Sequence, residues 1–161
     1  MKLTTQEEYG LRCLLRLGRE DSGQSLTIAA LSKQEGIASP TVAKMMRLLR
    51  RGGLVLSTRG KEGGYTLART PEQINVGEAL AALGGRLFDS RFCERHSGTV
   101  RLCTHSPDCS IRSVWRVLQD VVDDVLGRMT LKDLLHTEQE VTASVSARAV
   151  PQTVLSNRRA G

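Results

Sequence analysis

The sequence predicts a mainly α-helical fold with a small β wing: a winged helix-turn-helix head followed by a long C-terminal helix. Three observations support this prediction. Three helical patterns follow one another within the first 53 residues, and only about four residues separate the second from the third. Two short β-type runs then flank a glycine-rich segment. A long amphipathic pattern begins at Ser110.

The first helix is predicted from its start signal and its apolar stripe. Residues 5–8 (TQEE) fit a capping box, in which the Thr5 hydroxyl and the Glu8 carboxylate satisfy free amides. Leucines follow at helical spacing, and the DSG sequence at 21–23 ends the pattern. Cys13 lies among these leucines and is predicted to be a buried apolar side chain.

The second and third helices are predicted from their end signals. The second begins after Thr27 and stops at Gly36, which suits the left-handed position that follows a helix. Ser39 and Pro40 then fit the N-cap and first position of the third helix. The Gly-Gly pair at 52–53 closes that helix, so the two helices form a helix-turn-helix unit.

A wing and a further short helix are predicted next. Residues 54–58 and 65–67 have the character of short strands, and the segment 59–64 between them is basic and rich in glycine. Asn75 can cap a short helix, which the glycines at 84–85 end.

The C-terminal part contains a long helix from Ser110, whose apolar stripe is wider than one small domain needs. A capped short helix follows from Thr130 to about Leu135. We therefore divide the chain into a winged-helix head at 1–83, a cysteine segment at 84–109, a helical part at 110–138 and a mobile tail at 139–161.

The charge distribution predicts a polyanionic partner. The chain carries a net charge of +6, and residues 44–61 contain six Lys or Arg and no acid. In a winged helix the third helix enters the major groove of double-stranded DNA, and the wing reaches a neighbouring groove. We expect Thr41 and Lys44 to contact base edges and Arg59 to reach a minor groove. The side chains expected to contact phosphates or DNA more generally are Ser39, Arg47, Arg50, Arg51 and Lys61.

Three of the four cysteines form the pattern C-x9-C-x5-C at Cys93, Cys103 and Cys109. These gaps differ from the paired C-x2-C knuckles of structural zinc sites. They suit a loop around an iron–sulfur cluster, because thiolates are its preferred ligands. Unligated loop thiols, or one disulfide with a spare cysteine, are the alternatives.

Several classes of protein are disfavoured. No stretch approaches the roughly 20 apolar residues of a membrane span, and no secretory signal opens the chain. Four cysteines are too few for a disulfide scaffold. No Ser/His/Asp set, phosphate-binding loop or carboxylate pair is evident, so the sequence does not predict an enzyme.

The chain resembles the Rrf-type winged-helix regulators, which include IscR-like and NsrR-like iron–sulfur sensors. The resemblance runs from Met1 to about Leu135, and it rests on the order and spacing of short motifs together with the three cysteines. These motifs are MKLT at 1–4, GI at 36–37, GGLV at 52–55, RGKEGGY at 59–65, INVGEA at 74–79 and TLKDL at 130–134.

The resemblance implies a bacterial, cytoplasmic homodimer that pairs through the long helix carrying Trp115, which would make this the dimerisation helix. It implies that Cys93, Cys103 and Cys109 bind a 4Fe-4S or 2Fe-2S cluster. The state of that cluster would control binding to operator DNA that is pseudo-palindromic. The expected function is therefore a transcription regulator, acting as a repressor, that senses nitric oxide, redox stress or iron supply.

The fourth cluster ligand is where this sequence departs from part of the family. IscR-like members carry a histidine three residues after the last cysteine, and here that position is Arg112, which cannot bind a metal. NsrR-like members can use an acidic residue on the first helix of the partner subunit, and Glu8 stands at that place. Glu8 is thus a candidate ligand as well as a candidate capping residue, and His105 is the fallback.

Two other functions remain open from the sequence. The chain could be a winged-helix regulator without a cluster, holding zinc or free thiols and responding to another signal. It could also be an electron carrier or thiol oxidoreductase that uses the same cysteines. The latter leaves the basic zone at 44–61 without a role.

Overall fold

The computed structural model describes residues 4–20, 24–58, 63–86, 88–89, 91–99, 102–106 and 108–149. It confirms the mainly helical fold with one antiparallel two-stranded wing. The helices are α1 (Thr5–Gly18), α2 (Ile28–Glu35), α3 (Ser39–Arg51), α4 (Val76–Leu83), α5 (Phe92–Arg95), α6 (Ser110–Gly127) and α7 (Glu138–Ala149). The strands are β1 (Val55–Ser57) and β2 (Tyr65–Leu67), and 3-10 turns lie at Pro71–Gln73 and Asp133–Leu135.

The head encloses one aliphatic core between α1, α3 and α4, covered on one side by α2. A side chain at Gly10 would place its Cβ 2.3 Å from Leu83, so α1 and α4 approach as closely as a glycine allows. The contact between α1 and α4 is therefore closely packed. The largest fully buried side chains are Leu14, Leu31, Met45, Met46, Leu49, Leu54, Ile74, Leu83 and Leu131.

The predicted ends of α2 and α4 are confirmed. The Thr27 hydroxyl accepts a hydrogen bond from the Ala30 amide at 3.1 Å, and Gly36 ends α2 with a φ of 65°. Asn75 caps α4 and Gly84 follows it in the left-handed region. These ends depend on nearby residues only, which is why the sequence predicts them.

The predicted N-caps of α1 and α3 are each wrong by one residue. The N-cap of α1 is Thr4 rather than Thr5, and Glu7 rather than Glu8 completes the capping box. The sequence TTQEE fits both registers, and the structure adopts the one that buries Glu7 beside Gly85. For α3 the N-cap is Ala38, which makes no side-chain cap, so Ser39 is the first helical residue.

The end of α6 is fixed to the head by backbone and side-chain hydrogen bonds. The side-chain amide of Asn75 donates to the carbonyl oxygens of Gly127 and Met129, at 2.7 and 3.1 Å. The backbone amide of Val76 donates to the Met129 carbonyl oxygen at 2.9 Å, and that of Leu131 donates to the Ile74 carbonyl oxygen at 2.8 Å. These hydrogen bonds join the end of α6 directly to the start of α4 in the head.

The segment after the Asp133–Leu135 turn differs from the predicted mobile tail, because residues 138–149 form α7. Thr137 and Glu140 make a capping box at its start, with the Thr137 amide donating to the Glu140 carboxylate at 2.9 Å. The helix has no strong apolar stripe, so periodicity alone does not reveal it. Residues 150–161 lie outside the described part of the chain.

Candidate nucleic-acid interface and cysteine segment

Helix α3 presents a basic face to solvent because its other face is buried. Val42, Met45, Met46 and Leu49 recur at helical spacing and are fully or almost fully buried. The opposite side carries the cations, and no acidic residue occurs between 39 and 51. Of the residues predicted to contact DNA, Thr41 is half-buried, and the exposed ones are Ser39, Lys44, Arg47, Arg50 and Arg51.

The base of the wing is held by a compact set of hydrogen bonds. The Thr58 amide donates to the Gly64 carbonyl oxygen at 2.9 Å, and the Gly64 amide donates to the Thr58 hydroxyl at 3.0 Å. Tyr65 also pairs with Leu26 through two backbone hydrogen bonds. A Cβ at Gly64 would lie 2.7 Å from the Leu26 carbonyl oxygen, so this close approach requires a glycine. The predicted contacts Arg59 and Lys61 lie outside the described residues.

The first turn of α1 borders the exposed face of α3, which the sequence does not reveal. A cleft of about 380 Å³ separates the two elements. Thr41 and Lys44 form its α3 side, and Thr5 and Tyr9 belong to its α1 side. The basic face of α3 is therefore next to the hydroxyl groups of Thr5, Tyr9 and Thr41. Hydroxyl groups are suitable hydrogen-bond donors to phosphate oxygens.

Glu7 and Glu8 differ in their surroundings. Glu7 is buried, and its carboxylate accepts hydrogen bonds from the amide of Thr4 at 2.8 Å and from the Thr4 hydroxyl. Burial acts to raise the pKa of Glu7, but the hydrogen bonds from Thr4 and from its own amide outweigh it and lower the pKa. Glu8 is exposed, and its side chain has no hydrogen-bond or ion-pair partner among the described residues. The capping role expected of Glu8 therefore belongs to Glu7.

We expect Glu7→Gln to destabilise the protein by about 1 kcal/mol at neutral pH, because it weakens the capping box of α1. The folded pKa lies below the ordinary value of 4.5, so this stabilisation is present above that value and is lost as the pH falls through the folded pKa. Urea unfolding should therefore show a difference from the wild type that shrinks in acid. In metal-free protein Glu8→Gln is the matched control, and an equal loss in that variant would contradict the assignment.

The three loop cysteines are free thiols that are each partly exposed. Cys93 lies on α5, and Cys103 accepts a backbone hydrogen bond from Ser106 in a turn. Cys109 is the N-cap of α6, where its Sγ accepts from the Arg112 amide at 3.4 Å. Within the described residues, the structure does not gather three or more Cys, His, Asp or Glu side chains into a metal-binding group.

The fallback ligand His105, the second histidine of the cysteine segment and Cys13 lie in different environments. His105 is exposed in a turn of the cysteine segment. His96 stacks on Phe92, with ring centres 4.2 Å apart, and its Nδ1 lies 2.8 Å from the Phe92 carbonyl oxygen. Cys13 is fully buried, and burial raises the pKa of its thiol to about 11. Cys13 is therefore a core residue, as the sequence predicts.

Helix α6 exposes an apolar face in the single chain. Six of its large apolar residues are between 41% and 61% exposed, whereas large aliphatic residues of the head core are buried. An apolar surface of this kind is typical of a protein interface. No helix among the described residues is long and apolar enough to cross a membrane. The exposed residues of α6 are Ile111, Val114, Trp115, Val117, Leu118 and Val121.

A family model described as Rrf2, an iron-dependent transcriptional regulator, matches residues 3–137. The chain belongs to the Rrf2 family. Protein rrf2 of Nitratidesulfovibrio vulgaris is 33% identical over 136 residues, which cover 84% of this chain and 88% of that protein. The regulator IscR of Escherichia coli is 28% identical over 144 residues, covering 89% and 86% of the two chains. Rrf2 regulators bind DNA and are typically dimeric, and the relatives are transcription regulators, not enzymes.

Solved structures of Rrf2 relatives have the same fold. IscR of T. potens is 26% identical with a TM-score of 0.64, and the match covers 96% of each chain. CymR, the global cysteine regulator of B. subtilis, is 27% identical with a TM-score of 0.63. That match covers 84% of this chain and 96% of CymR. The winged-helix assignment is therefore confirmed along most of the chain.

Proposed function

We propose that this Rrf2 protein is a homodimeric repressor in the bacterial cytoplasm whose affinity for operator DNA depends on an iron–sulfur cluster. Cys93, Cys103 and Cys109 hold the cluster, and Glu8 of the partner subunit supplies the fourth ligand. The cluster is of the 4Fe-4S or 2Fe-2S type. Nitric oxide, redox stress or iron supply changes its state and thereby the fit of the two heads to DNA.

The DNA-binding part of the proposal is supported by the exposed basic face of α3. Two such faces in a dimer reach successive major grooves when they lie about 34–36 Å apart. An operator of two half-sites with pseudo-palindromic symmetry follows from the two-fold axis of the dimer. The exposed apolar face of α6 supports pairing through this helix.

The single observation that carries the regulatory part is the attachment of the cysteine segment to α6. Cys109 caps the helix itself, so the segment that bears all three thiols ends at the first turn of the proposed dimer interface. At its other end α6 is bonded to the head through Asn75. A change at the thiols therefore has a continuous path to the position of α3.

The donor set fits a cluster by its chemistry. Three free thiols stand on one segment, and Glu8 is exposed without a partner among the described residues. The described conformation does not bring these groups together, so the three cysteines would have to move closer to one another to hold a cluster. When bound, the cluster supplies a redox-active, nitric oxide-reactive centre. The protein's own residues hold it, and α6 relays the position of the segment to the two heads.

The test is a visible spectrum of protein purified without oxygen, combined with operator titrations. We expect iron, sulfide and thiolate-to-iron absorbance in the wild type and their loss in Cys103→Ala. Glu8→Ala should destabilise the cluster, whereas Glu94→Ala, which removes an exposed acid of the cysteine segment, should not. Fluorescence anisotropy on a duplex selected from a random pool should give affinities about 5- to 150-fold apart for loaded and stripped protein. Equal affinities would refute the regulatory role.

A second candidate is a cluster-free Rrf2 regulator that responds through free thiols or zinc. Two observations favour it: the described cysteines are not gathered into a metal-binding group, and one structural relative is an oxidised form of Staphylococcus aureus CymR. That relative is 25% identical with a TM-score of 0.63. A colourless protein with stoichiometric zinc, or with no metal, would support this candidate over the cluster.

A further inference from the structure

Gln119 is a buried polar residue on a helix whose neighbouring side chains are mostly exposed. Only 5% of it is accessible, whereas Leu118 is 44% exposed and Asp120 is also exposed. Glutamine is rarely buried unless its amide is hydrogen-bonded. The hydrogen-bond partners of Gln119 therefore explain why α6 has an amide at this position rather than an apolar side chain.

The Gln119 amide connects the start of the cysteine segment to α6. Its Oε1 accepts a hydrogen bond from the Phe88 backbone amide at 3.0 Å. Its Nε2 donates to Oδ1 of Asp123, one turn further along α6, at 2.8 Å. The other carboxylate oxygen of Asp123 pairs with Arg86 at 2.5 Å. Arg86, Phe88, Gln119 and Asp123 thus form a latch, with two members on each side.

A series of side-chain contacts extends from the latch to the residues next to Cys93, the first cysteine of the segment. Phe88 packs against Phe92 with ring centres 5.2 Å apart, and Phe92 stacks in turn on His96. The Asp89 carboxylate pairs with Arg95 through both oxygens at 3.0 Å. These contacts link the residues on either side of Cys93 into one unit, and the latch joins that unit to α6.

The latch also lies beside the apolar face of α6. Trp115, Gln119 and Asp123 follow one another at intervals of four residues, so they lie on one side of the helix. A movement of the cysteine segment that breaks the latch would therefore uncover the helix next to Trp115. This tryptophan is 41% exposed in the single chain and belongs to the face that we assign to the dimer.

We propose that Gln119 and Asp123 are positioning residues that couple the cysteine segment to α6. While the latch is closed, the unit around Cys93 is fixed to the dimerisation helix. Its rearrangement, when the thiols bind or lose their ligand, is passed to α6 through these two side chains. This inference deepens the proposed function and rests on it for the regulatory step, whereas the latch itself rests on the hydrogen bonds above.

The first experiment measures hydrogen exchange in metal-free, full-length protein. Gln119→Leu removes the hydrogen bonds to Phe88 and Asp123 while keeping a side chain of similar size, and Asp123→Asn weakens the pairing with Arg86. Both variants should speed exchange in residues 86–96 several-fold without changing exchange in α3. Asp124→Asn is the matched control, because Asp124 pairs with Arg128 at the end of α6 and with no described residue of the cysteine segment. Arg86→Lys should keep near-normal protection.

The second experiment measures operator affinity for protein reconstituted with ferrous iron and sulfide and for protein stripped by a chelator. Gln119→Leu should retain the cluster absorbance per subunit but bring the two affinities towards equality, while Asp124→Asn keeps the wild-type ratio. Unchanged exchange or an unchanged affinity ratio in Gln119→Leu would overturn the coupling role, and so would loss of the cluster. A wild type with equal affinities would refute the proposed function, and the exchange experiment would still decide whether the latch holds the segment.

Discussion

Leu118→Asp should convert the protein from a dimer into a monomer and weaken operator binding by about 100-fold or more. Leu118 lies within the exposed apolar face of α6 and is 44% exposed in the single chain. Pairing of two such faces would bury it, and a carboxylate placed there without a partner strongly opposes association. A monomer engages one half-site only, so it loses the gain from holding the second head at high effective concentration.

Sedimentation velocity measures the first effect and anisotropy titration the second. Leu56→Asp is the control for the oligomeric state, because Leu56 is a leucine of β1 that is 55% exposed and lies on the wing. It should remain dimeric. Far-ultraviolet circular dichroism should show the same helix content in both variants. A dimeric Leu118→Asp would place the subunit interface elsewhere.

Leu118→Asp and Leu56→Asp together also test whether pairing with a second subunit explains the width of the apolar face of α6. The apolar face of α6, which includes Ile111, Val114 and Leu118, is wider than the head can cover. These residues are exposed in the single chain. The sequence predicts this excess because period and length are local properties. It does not predict the partner surface, which depends on how α6 leaves the head through the Asn75 hydrogen bonds.

Other parts of the fold show the same division between local and long-range information. The limits of α2 follow from Thr27 and Gly36, which act within one turn of the helix. The cap of α1 is placed one residue late because TTQEE supports two registers, and only the burial of Glu7 selects one. Helix α7 has a clear start signal at Thr137 but almost no apolar stripe, so a pattern based on burial misses it.

The candidate sites divide in the same way. The exposed cations of α3 follow directly from the spacing of its buried residues, so the sequence predicts them. The latch could not be predicted, because Gln119 and Phe88 are 31 residues apart and glutamine is ordinary on an exposed helix. The same holds for the cleft between Thr5 and Lys44, whose sides come from α1 and α3.

Lys44→Ala and Arg47→Ala should weaken operator binding in two distinguishable ways. Lys44 lies in the N-terminal half of α3, where side chains reach base edges, so its loss should reduce operator affinity about 5- to 150-fold, with a smaller effect on random DNA. Arg47 lies one turn later and is expected to contact phosphate. Its loss should weaken binding to both duplexes about equally and lower the slope of log affinity against log salt by about 1.

Anisotropy titrations at several salt concentrations, on a selected operator and on a random duplex, separate these effects. Lys132→Ala provides the control, because this exposed lysine pairs with Glu72 beside the 3-10 turns rather than on α3. Its removal should leave the affinity and the salt slope nearly unchanged, because the charge lies outside the α3 face. An Arg47→Ala variant that loses affinity for the operator alone would instead assign Arg47 to base recognition. A Lys44→Ala variant that weakens both duplexes equally would remove Lys44 from that role.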